Sequence, residues 1–243
     1  MKKNTLDFKE KKAILFDSGK VLNQSSTGHW FITPNFFQYV DQKKFNTLPS
    51  SKRKNAFAVA GKSIKSKKLI RNENEEYDAF LEYYRTFAKA LPELELGDEQ
   101  IQSITQDYVY NYDKYTFFQD VKEMIPILSQ HYKLAIVSDA WPSLEGVFEK
   151  AQLKHYFSSI VISSKLGVTK PNELMYQTAL DELGLSPNEA LFIDDNIRNC
   201  KGANKLGIDS ILLCREWKLH IYSRLKGEKE IARSLKALEK LLL

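Results

Sequence analysis

Five short apolar runs constrain the fold of this chain more than any other feature of its sequence. The runs lie at 13–16, 134–137, 160–162, 190–193 and 211–213. Each lacks the polar–apolar alternation of a half-exposed strand, which is typical of strands buried on both faces of a parallel sheet. Helix-compatible stretches at 142–152, 172–184 and 197–206 separate the later runs. This alternation predicts an α/β core, a parallel sheet with helices on both faces.

One long insertion interrupts the alternation. About 120 residues with few strand-like runs lie between Asp17 and Ser138, and apolar residues from Phe80 to Leu91 recur there at helical spacing. We therefore expect an α/β core formed by 1–23 and 113–243, with a helical cap domain inserted at 24–112. At the C-terminus, apolar residues at helical spacing predict an amphipathic helix over 228–243.

The charges of the insertion are divided between two stretches. Residues 43–71 contain ten Lys or Arg and no acidic residue, whereas 73–99 contain nine Asp or Glu against Arg85 and Lys89. Two interpretations stay open: solvated helix faces that face each other, or a basic surface that attracts phosphorylated ligands. A nucleic-acid partner is not expected, because no binding motif or aromatic stacking pattern accompanies the lysines.

The composition indicates what class of protein this is but does not indicate its function. Hydrophobic residues make up 43% of the chain and charged residues 28%, which is typical of a globular protein and excludes a disordered one. No run approaches the ~18 apolar residues of a membrane span, so no membrane partner is expected. The first twelve residues lack the apolar segment of a signal peptide, which favours a cytoplasmic location.

Polar residues follow the apolar runs at the positions where a parallel sheet binds its ligands. Asp17 follows the first run, Ser138 the second, and Asp194 and Asp195 the fourth, while Lys170 lies after the third. Ligands of such sheets bind outside the carboxyl ends of the strands. Three carboxylates, a hydroxyl and a lysine are therefore expected at one sheet edge.

These residue types suit phosphoryl transfer. Three carboxylates form an all-oxygen cluster that suits a hard cation such as Mg²⁺, and without a cation or a proton they would repel one another. The hydroxyl of Ser138 and nearby backbone N–H groups can hold phosphate oxygens, and Lys170 can neutralise them. Asp17 can then accept a phosphoryl group as a nucleophile.

Four ordered motifs carry a resemblance to a known family. They read AILFDSGKVL, LAIVSDA, GVTKPNELMY and ALFIDDNIRNCKGANKLGI. Together they resemble the motifs of the haloacid dehalogenase-like (HAD) hydrolases, and the insertion lies where that family places a helical cap of its first type. The resemblance implies a Rossmann-like core, Mg²⁺ and, most often, phosphatase activity through an aspartyl-phosphate.

The resemblance also implies a role for each motif residue. Asp17 is the nucleophile and a metal ligand, and the backbone carbonyl of Gly19 is a further ligand. Ser138 and Lys170 bind the phosphoryl group, assisted by the backbone N–H of Asp139. Asp194 and Asp195 hold Mg²⁺.

The chain departs from the family pattern at two positions. Gly19 stands where the phosphatases usually carry a second Asp, the general acid and base, which is typically worth about 10²–10⁴-fold in rate. Asp139 stands where the family commonly has Asn, and its charge disfavours a phosphate nearby. Lys20 can offset part of that charge.

These observations favour a Mg²⁺-dependent phosphatase for a small phosphorylated metabolite. One alternative is a catalytically weak member that binds a phosphorylated ligand or a protein partner. Another is a metal-independent 2-haloacid dehalogenase, which the pair Asp194-Asp195 disfavours. His29 and Trp30, at the entry to the insertion, are candidates for substrate selection, with a packed aromatic hinge as the other interpretation.

Overall fold

A six-stranded parallel sheet forms the centre of the α/β part. The computed structural model describes residues 10–65, 69–228 and 231–243. The strand order is β5-β4-β1-β6-β7-β8. The strands are β1 (Ala13–Phe16), β4 (Lys133–Ser138), β5 (Phe157–Ile162), β6 (Ala190–Asp194), β7 (Asp209–Leu213) and β8 (Ile231–Ala232). A separate two-stranded sheet pairs β2 (Asn23–Ser25) with β3 (Tyr115–Phe117).

All five predicted strands are confirmed. β1 occupies the middle of the sheet, and Phe16 lies opposite Ile136 of β4 on one side and Ile193 of β6 on the other. Every residue of β1 and β6 is buried, because helices cover both faces of the sheet. The carboxyl ends of these three strands therefore lie side by side at one edge.

The helices of the α/β part follow its strands. They are α6 (Gln119–Leu128), α8 (Ser163–Leu166), α9 (Glu173–Leu183), α10 (Ile197–Lys205), α11 (Trp217–Leu225) and α12 (Glu239–Leu242). Asparagine caps begin α9 and α10: the side chains of Asn172 and Asn196 accept hydrogen bonds from the backbone two residues further on. Both helices agree with the predicted stretches. Among the helices of the described residues, none is both long enough and apolar enough to cross a bilayer.

The predicted helix over 228–243 is wrong. Ile231 and Ala232 instead form β8, which pairs in parallel with Leu212 and Leu213 at the edge of the sheet. A short 3₁₀ turn and α12 follow. The apolar spacing reflects side chains that pack against the core, and the open edge of β7 offered a pairing partner that helical periodicity does not reveal.

The chain divides into two compact units. The first contains the described residues up to Gln24, Phe117–Ala140 and those from Ala151 onward; the second contains Ser25–Thr116 and Trp141–Lys150. We call the second the helical unit. Residues 113–116 and 141–150, which the predicted boundaries place in the α/β core, belong to the helical unit by their contacts.

The helical unit has its own aromatic core. Its helices are α1 (Phe36–Tyr39), α2 (Gln42–Thr47), α3 (Ser50–Lys65), α4 (Glu73–Ala90), α5 (Asp98–Tyr110) and α7 (Leu144–Lys150). Phe80, on α4, stacks on Tyr108 of α5 with ring centroids 3.9 Å apart. The periodicity between Phe80 and Leu91 is thereby confirmed as the buried face of α4, on which Phe80, Tyr84 and Phe87 are inaccessible to solvent.

Opposite charges from the basic and acidic stretches meet in this unit. The ammonium of Lys44 contacts the carboxylate of Glu95, and that of Lys52 contacts Glu93. These pairs agree with the interpretation in which the two charged stretches face each other. All four side chains are exposed, so solvent screens both pairs and they contribute little to stability.

A buried polar cluster ties residues 141–150 to α4. The hydroxyl of Ser143 donates to Glu76 over 2.6 Å, and the backbone N–H of Ser143 donates to the other carboxylate oxygen over 2.8 Å. The ammonium of Lys114 donates to the hydroxyl of Ser143 over 2.6 Å and to the backbone carbonyl of Tyr108 over 2.7 Å. Burial raises the pKa of Glu76 and lowers the pKa of Lys114 to about 8. Each member thus relies on its hydrogen bonds to offset the cost of burial.

Glu76→Gln is expected to lower the free energy of unfolding by about 2–4 kcal/mol, because it leaves a buried ammonium without its anion and sets an NH₂ group against a backbone N–H. Chemical denaturation measures this loss. Glu82→Gln, on the exposed face of the same helix, is the matched control and should change stability by less than about 0.5 kcal/mol. Equal stability of the two variants would contradict the assigned role of the cluster.

Candidate active site

Asp17 lies at the carboxyl end of the central strand. Its backbone N–H donates to the carbonyl of Ile193 over 2.9 Å, which continues the pairing of β1 with β6. The residue is only 9% exposed. Ser138 ends the neighbouring strand β4 and is buried at the same edge of the sheet. The predicted convergence of the first and second motifs at one edge is therefore seen in the strand register.

Three carboxylates form a cluster at this edge. Oxygen atoms of Asp17, Asp194 and Asp195 all lie within 4.8 Å of one another. Asp194 is completely buried, whereas the side chain of Asp195 is 24% exposed. The cluster therefore has one buried end and one end that reaches solvent.

Lys170 bridges two of the carboxylates. Its ammonium donates to Oδ1 of Asp17 over 2.6 Å and to Oδ2 of Asp194 over 2.7 Å. The lysine side chain is only 1% exposed, so the surrounding protein screens these contacts little. The sequence predicted this lysine near the carboxylates, and the structure places it in direct contact with both.

Asp139 forms a hydrogen bond with the loop that carries Lys170. Its Oδ1 accepts the backbone N–H of Lys170 over 2.9 Å. The Asp139 carboxylate, whose charge is expected to disfavour a nearby phosphate, thus accepts a hydrogen bond from the lysine loop. The peptide bond between Lys170 and Pro171 is cis. A binding role for the backbone N–H of Asp139 stays a prediction.

The pKa shifts in the cluster show that its carboxylates lack compensating positive charge. Burial, with the charges of Asp194 and Asp195, raises the pKa of Asp17 to about 7, although Lys170 opposes the shift. Burial also raises the pKa of Asp195, and Asp194 adds to that effect. Burial alone would lower the pKa of Lys170, but Asp17 and Asp194 outweigh it and raise the value. One buried ammonium therefore balances only part of the negative charge of three ionised carboxylates.

Two asparagines, which the sequence analysis did not single out, complete the surroundings of Asp194. The amide of Asn199 donates to both carboxylate oxygens over 3.3 and 3.1 Å, and the backbone N–H of Asn196 donates to Oδ1 over 2.7 Å. Both residues belong to α10 or its cap. Their positions directly after the acidic pair could have indicated these contacts, because the first turn of a helix that follows a strand lies at the end of that strand.

α10 also approaches the lysine loop closely. A Cβ on Gly202 would lie 2.4 Å from Cβ of Pro171, so only glycine fits at this point of the helix. The hydroxyl of Tyr176 donates to the backbone carbonyl of Asn199 over 2.9 Å and joins α9 to α10. The third and fourth motifs are thus packed directly against each other.

The loop after Asp17 is a tight turn. Gly19 forms a bridge with Asn23, and the amide of Asn23 donates to the hydroxyl of Ser18 over 2.7 Å. Lys20 adopts a left-handed conformation with φ of 61°, which is uncommon for a residue with a side chain. Its exposed ammonium lies 3.9 Å from Oδ2 of Asp195. Lys20 therefore adds positive charge at the solvent-facing end of the cluster.

The two candidates for substrate selection lie in the helical unit. The ring of His29 packs on Phe57 with centroids 4.3 Å apart, and its Nδ1 accepts the backbone N–H of Phe31 over 3.2 Å. Trp30 packs edge-on against Tyr115 at 5.2 Å. Burial lowers the pKa of His29, which favours the neutral ring. These contacts agree with the packed aromatic hinge, and a role in substrate selection stays a prediction.

Comparison with known proteins identifies the family. The family model for haloacid dehalogenase-like hydrolases matches residues 15–213, which include the first motif from Leu15 onward and the other three motifs completely. The chain belongs to the haloacid dehalogenase-like hydrolases. The resemblance drawn from the motifs and the α/β fold with a Rossmann-like sheet are both confirmed.

HAD relatives of two activities match part of the chain. The glyceraldehyde 3-phosphate phosphatase of Methanopyrus kandleri is 28% identical over 116 residues, 44% of this chain and 48% of that protein. The (S)-2-haloacid dehalogenase 4A of Burkholderia cepacia is 29% identical over 107 residues, 43% of this chain and 46% of that protein. The chain therefore spans about half the length of the curated relatives it matches. The comparison supports a HAD hydrolase with phosphatases among its relatives.

Solved HAD structures share the fold over nearly the whole chain. The HAD-family hydrolase YfnB of Bacillus subtilis, whose crystal structure is bound to magnesium, superposes with a TM-score of 0.66 at 15% identity and covers 96% of this chain and 98% of that one. At this identity the likeness concerns the fold alone.

The donor set of this HAD site fits Mg²⁺. All the candidate side-chain ligands are carboxylates, which hard cations prefer, and their oxygens lie close enough to share one ion. Lys170 leaves part of the negative charge of the three carboxylates unbalanced, and a cation would offset it. Asp17, Asp194 and Asp195 are the side chains that would hold it, and the carbonyl of Gly19 stays a predicted further ligand.

Proposed function

We propose that this HAD hydrolase is a Mg²⁺-dependent phosphatase that acts on a small phosphorylated metabolite through an aspartyl-phosphate on Asp17. The observation that carries the proposal is the bridge from Lys170 to Asp17 and Asp194, with Asp195 in the same cluster. A lysine fixed against the nucleophile can neutralise a phosphoryl group at that position, and paired carboxylates are the side chains that hold a hard cation.

The reaction then takes place in two displacements. A carboxylate oxygen of Asp17 attacks phosphorus, the bond from phosphorus to the leaving oxygen breaks, and the leaving alcohol takes a proton. Water then attacks the aspartyl-phosphate, the bond from phosphorus to the Asp17 oxygen breaks, and inorganic phosphate leaves. Bound Mg²⁺ supplies charge neutralisation for the phosphoryl oxygens. Lys170, which contacts Asp17, would neutralise part of the same charge, and the position of Ser138 at the end of β4 supports its assignment to a phosphate oxygen.

The acidic pair separates this proposal from the dehalogenase alternative. A haloacid carries a single carboxylate and its hydrolysis needs no cation, so two adjacent carboxylates beside the nucleophile add only repulsion. The adjacent pair Asp194 and Asp195 therefore favours the phosphatase over the dehalogenase. The cap role of the helical unit and the cytoplasmic location stay predictions.

A phosphate-release screen tests the proposed function. Purified protein is assayed on sugar phosphates, nucleotides, phospho-acids and p-nitrophenyl phosphate, with Mg²⁺ and after its removal by EDTA. We expect phosphate release with Mg²⁺ and its loss with EDTA. Folded protein that releases no phosphate, or that releases halide from a 2-haloacid without Mg²⁺, would contradict the proposal.

Gly19 favours the second candidate function, a catalytically weak member that binds a phosphorylated ligand. No side chain at this position can protonate the leaving oxygen, so the proton must come from water or another group. Gly19→Asp is expected to raise kcat by about 10-fold or more on substrates with poor leaving groups, because it introduces a general acid. Steady-state kinetics on an alkyl phosphate measure the gain.

Gly19→Asn is the matched control, since it adds a side chain of the same size without an acid. If both variants leave kcat unchanged, other groups already supply the proton. If neither the natural chain nor Gly19→Asp turns over any phosphate ester, while equilibrium dialysis detects binding of a phosphorylated compound, the binding function replaces the phosphatase.

A further inference from the structure

The helix α11 is unusual because its apolar residues face solvent. None of its nine residues, all of them described, is buried. Half of the large apolar side chains that are exposed among the described residues belong to this helix: Trp217, Leu219, Ile221, Tyr222 and Leu225. A surface helix normally turns such residues toward the core and its charges toward water.

The partly buried face of α11 is polar. His220 and Ser223 are the residues of the helix that are partly covered, and the hydroxyl of Ser223 lies 3.9 Å from Sγ of Cys214. Folding therefore buries little of the apolar surface of α11. Nothing in the described part of the chain removes its apolar side chains from water, and exposed apolar patches of this kind mark interaction sites.

The exposed residues form a continuous ridge. Trp217, Ile221 and Leu225 recur at four-residue steps, so they lie above one another along the helix. Their exposed fractions are 57%, 48% and 83%. Tyr222, 57% exposed, lies beside the ridge. This arrangement differs from single exposed residues such as Leu174, which are common on any protein surface.

Positive charge surrounds the ridge. The ammonium of Lys218 lies 5.8 Å from the centroid of the Trp217 ring, and that of Lys226 lies 5.4 Å from the Tyr222 ring. Arg224 is exposed on the same helix. Two acidic residues border the helix in the described part of the chain: Glu216 is its N-cap, and Glu228 contacts Lys201 at 3.4 Å. The surface that α11 complements is therefore negatively charged.

A second copy of the chain fits this surface poorly. Two α11 helices packed antiparallel about Ile221 would bring Lys218 of one copy toward Arg224 of the other, which places like charges together. A nine-residue helix is also only about 13 Å long, and its face is far smaller than the ~800 Å² per partner of a stable dimer.

We propose that α11 is a docking surface for an anionic lipid membrane, on which the ridge enters the headgroup region and the basic side chains pair with lipid phosphates. Tryptophan and tyrosine prefer that region because their rings are apolar at one end and polar at the other. Lysine and arginine extend their charged groups outward from an inserted apolar stem. The contact needs no membrane-spanning segment, so it is compatible with the absence of a long apolar run in the sequence. It is independent of the proposed phosphatase activity.

Vesicle co-sedimentation of the full chain tests the proposal. The probes are vesicles of phosphatidylserine with phosphatidylcholine, compared with pure phosphatidylcholine, at low and high ionic strength. We expect binding to the anionic vesicles alone, weakened by salt because screening shortens the range of the charges. Blue-shifted tryptophan fluorescence should accompany binding, although Trp30 and Trp141 contribute a constant background.

Two pairs of variants locate the contact. Trp217→Ser with Leu225→Ser removes apolar area, and Lys218→Glu with Arg224→Glu reverses charge; each pair should lower vesicle binding by about tenfold or more. Leu174→Ser and Lys122→Glu, exposed residues on other helices, are the matched controls and should bind as the natural chain does. Circular dichroism verifies that all variants fold.

Three outcomes would overturn the proposal. The first is no binding of the natural chain to anionic vesicles at low ionic strength. The second is binding that the α11 variants leave unchanged, which would assign it to another basic surface such as 43–71. The third is a dimer in light scattering that Trp217→Ser with Leu225→Ser dissociates, which would make a second copy the occupant.

Discussion

Asp17→Asn is expected to abolish phosphate release, with a loss of at least about 10⁴-fold in kcat, because an amide cannot form the aspartyl-phosphate. Malachite-green detection of phosphate with saturating Mg²⁺ measures this loss. Removal of a cation ligand adds to it, since Asp17 shares the carboxylate cluster with Asp194 and Asp195.

The same substitution should leave the fold intact. Burial raises the pKa of Asp17 to about 7, so the ionised carboxylate is less favourable in the folded chain than in the unfolded chain. A neutral amide of the same shape removes one of three neighbouring negative charges, while Lys170 keeps its contact with Asp194. We therefore expect the free energy of unfolding without metal to stay constant or to rise.

Asp78→Asn, on the exposed face of α4, is the matched control for both measurements and should retain activity and stability. Residual phosphate release by Asp17→Asn above the background of the preparation would show that another group attacks phosphorus. A large loss of stability would instead show that Asp17 has a structural role that its contacts do not explain.

The sheet and its motifs were predictable because parallel strands buried on both faces leave an unmistakable pattern. The run 13–16 coincides with β1, and 190–193 lies within β6. The residues that follow these runs meet at one edge for a reason of topology alone, since parallel strands end on the same side. The chemistry of Asp17, Asp194 and Lys170 could therefore be inferred before their contacts were seen.

Contacts between distant parts of the chain were not predictable. Glu76 and Ser143 are 67 residues apart, and neither lies in a pattern that suggests a partner. Their hydrogen bonds join 141–150 to α4 of the helical unit, although 117–140, which precede them, belong to the other unit. β8 is a similar case, because its pairing with β7 depends on an open sheet edge, whereas the local apolar spacing of 228–243 is helical.

Lys170→Met is expected to lower the free energy of unfolding by about 3–5 kcal/mol in the absence of metal, because it removes the ammonium between two buried carboxylates. Asp17 and Asp194 would then face each other without their shared donor, and Asp194 has no access to solvent. Phosphate release should be lost as well. Chemical denaturation and the phosphate assay measure the two effects, and Lys205→Met, an exposed lysine of α10, is the control.

Mg²⁺ should restore part of this stability, because a cation bound by the carboxylates replaces some of the missing positive charge and stabilises only the folded chain. The gain on addition of Mg²⁺ is expected to be larger for Lys170→Met than for the natural chain. The double variant with Asp17→Asn should regain stability without metal, since one of the facing carboxylates is gone; the two substitutions are in contact and therefore do not add. If the effects of the two single variants on the free energy of unfolding simply add, the bridge from Lys170 to Asp17 does not determine the charge balance of the site.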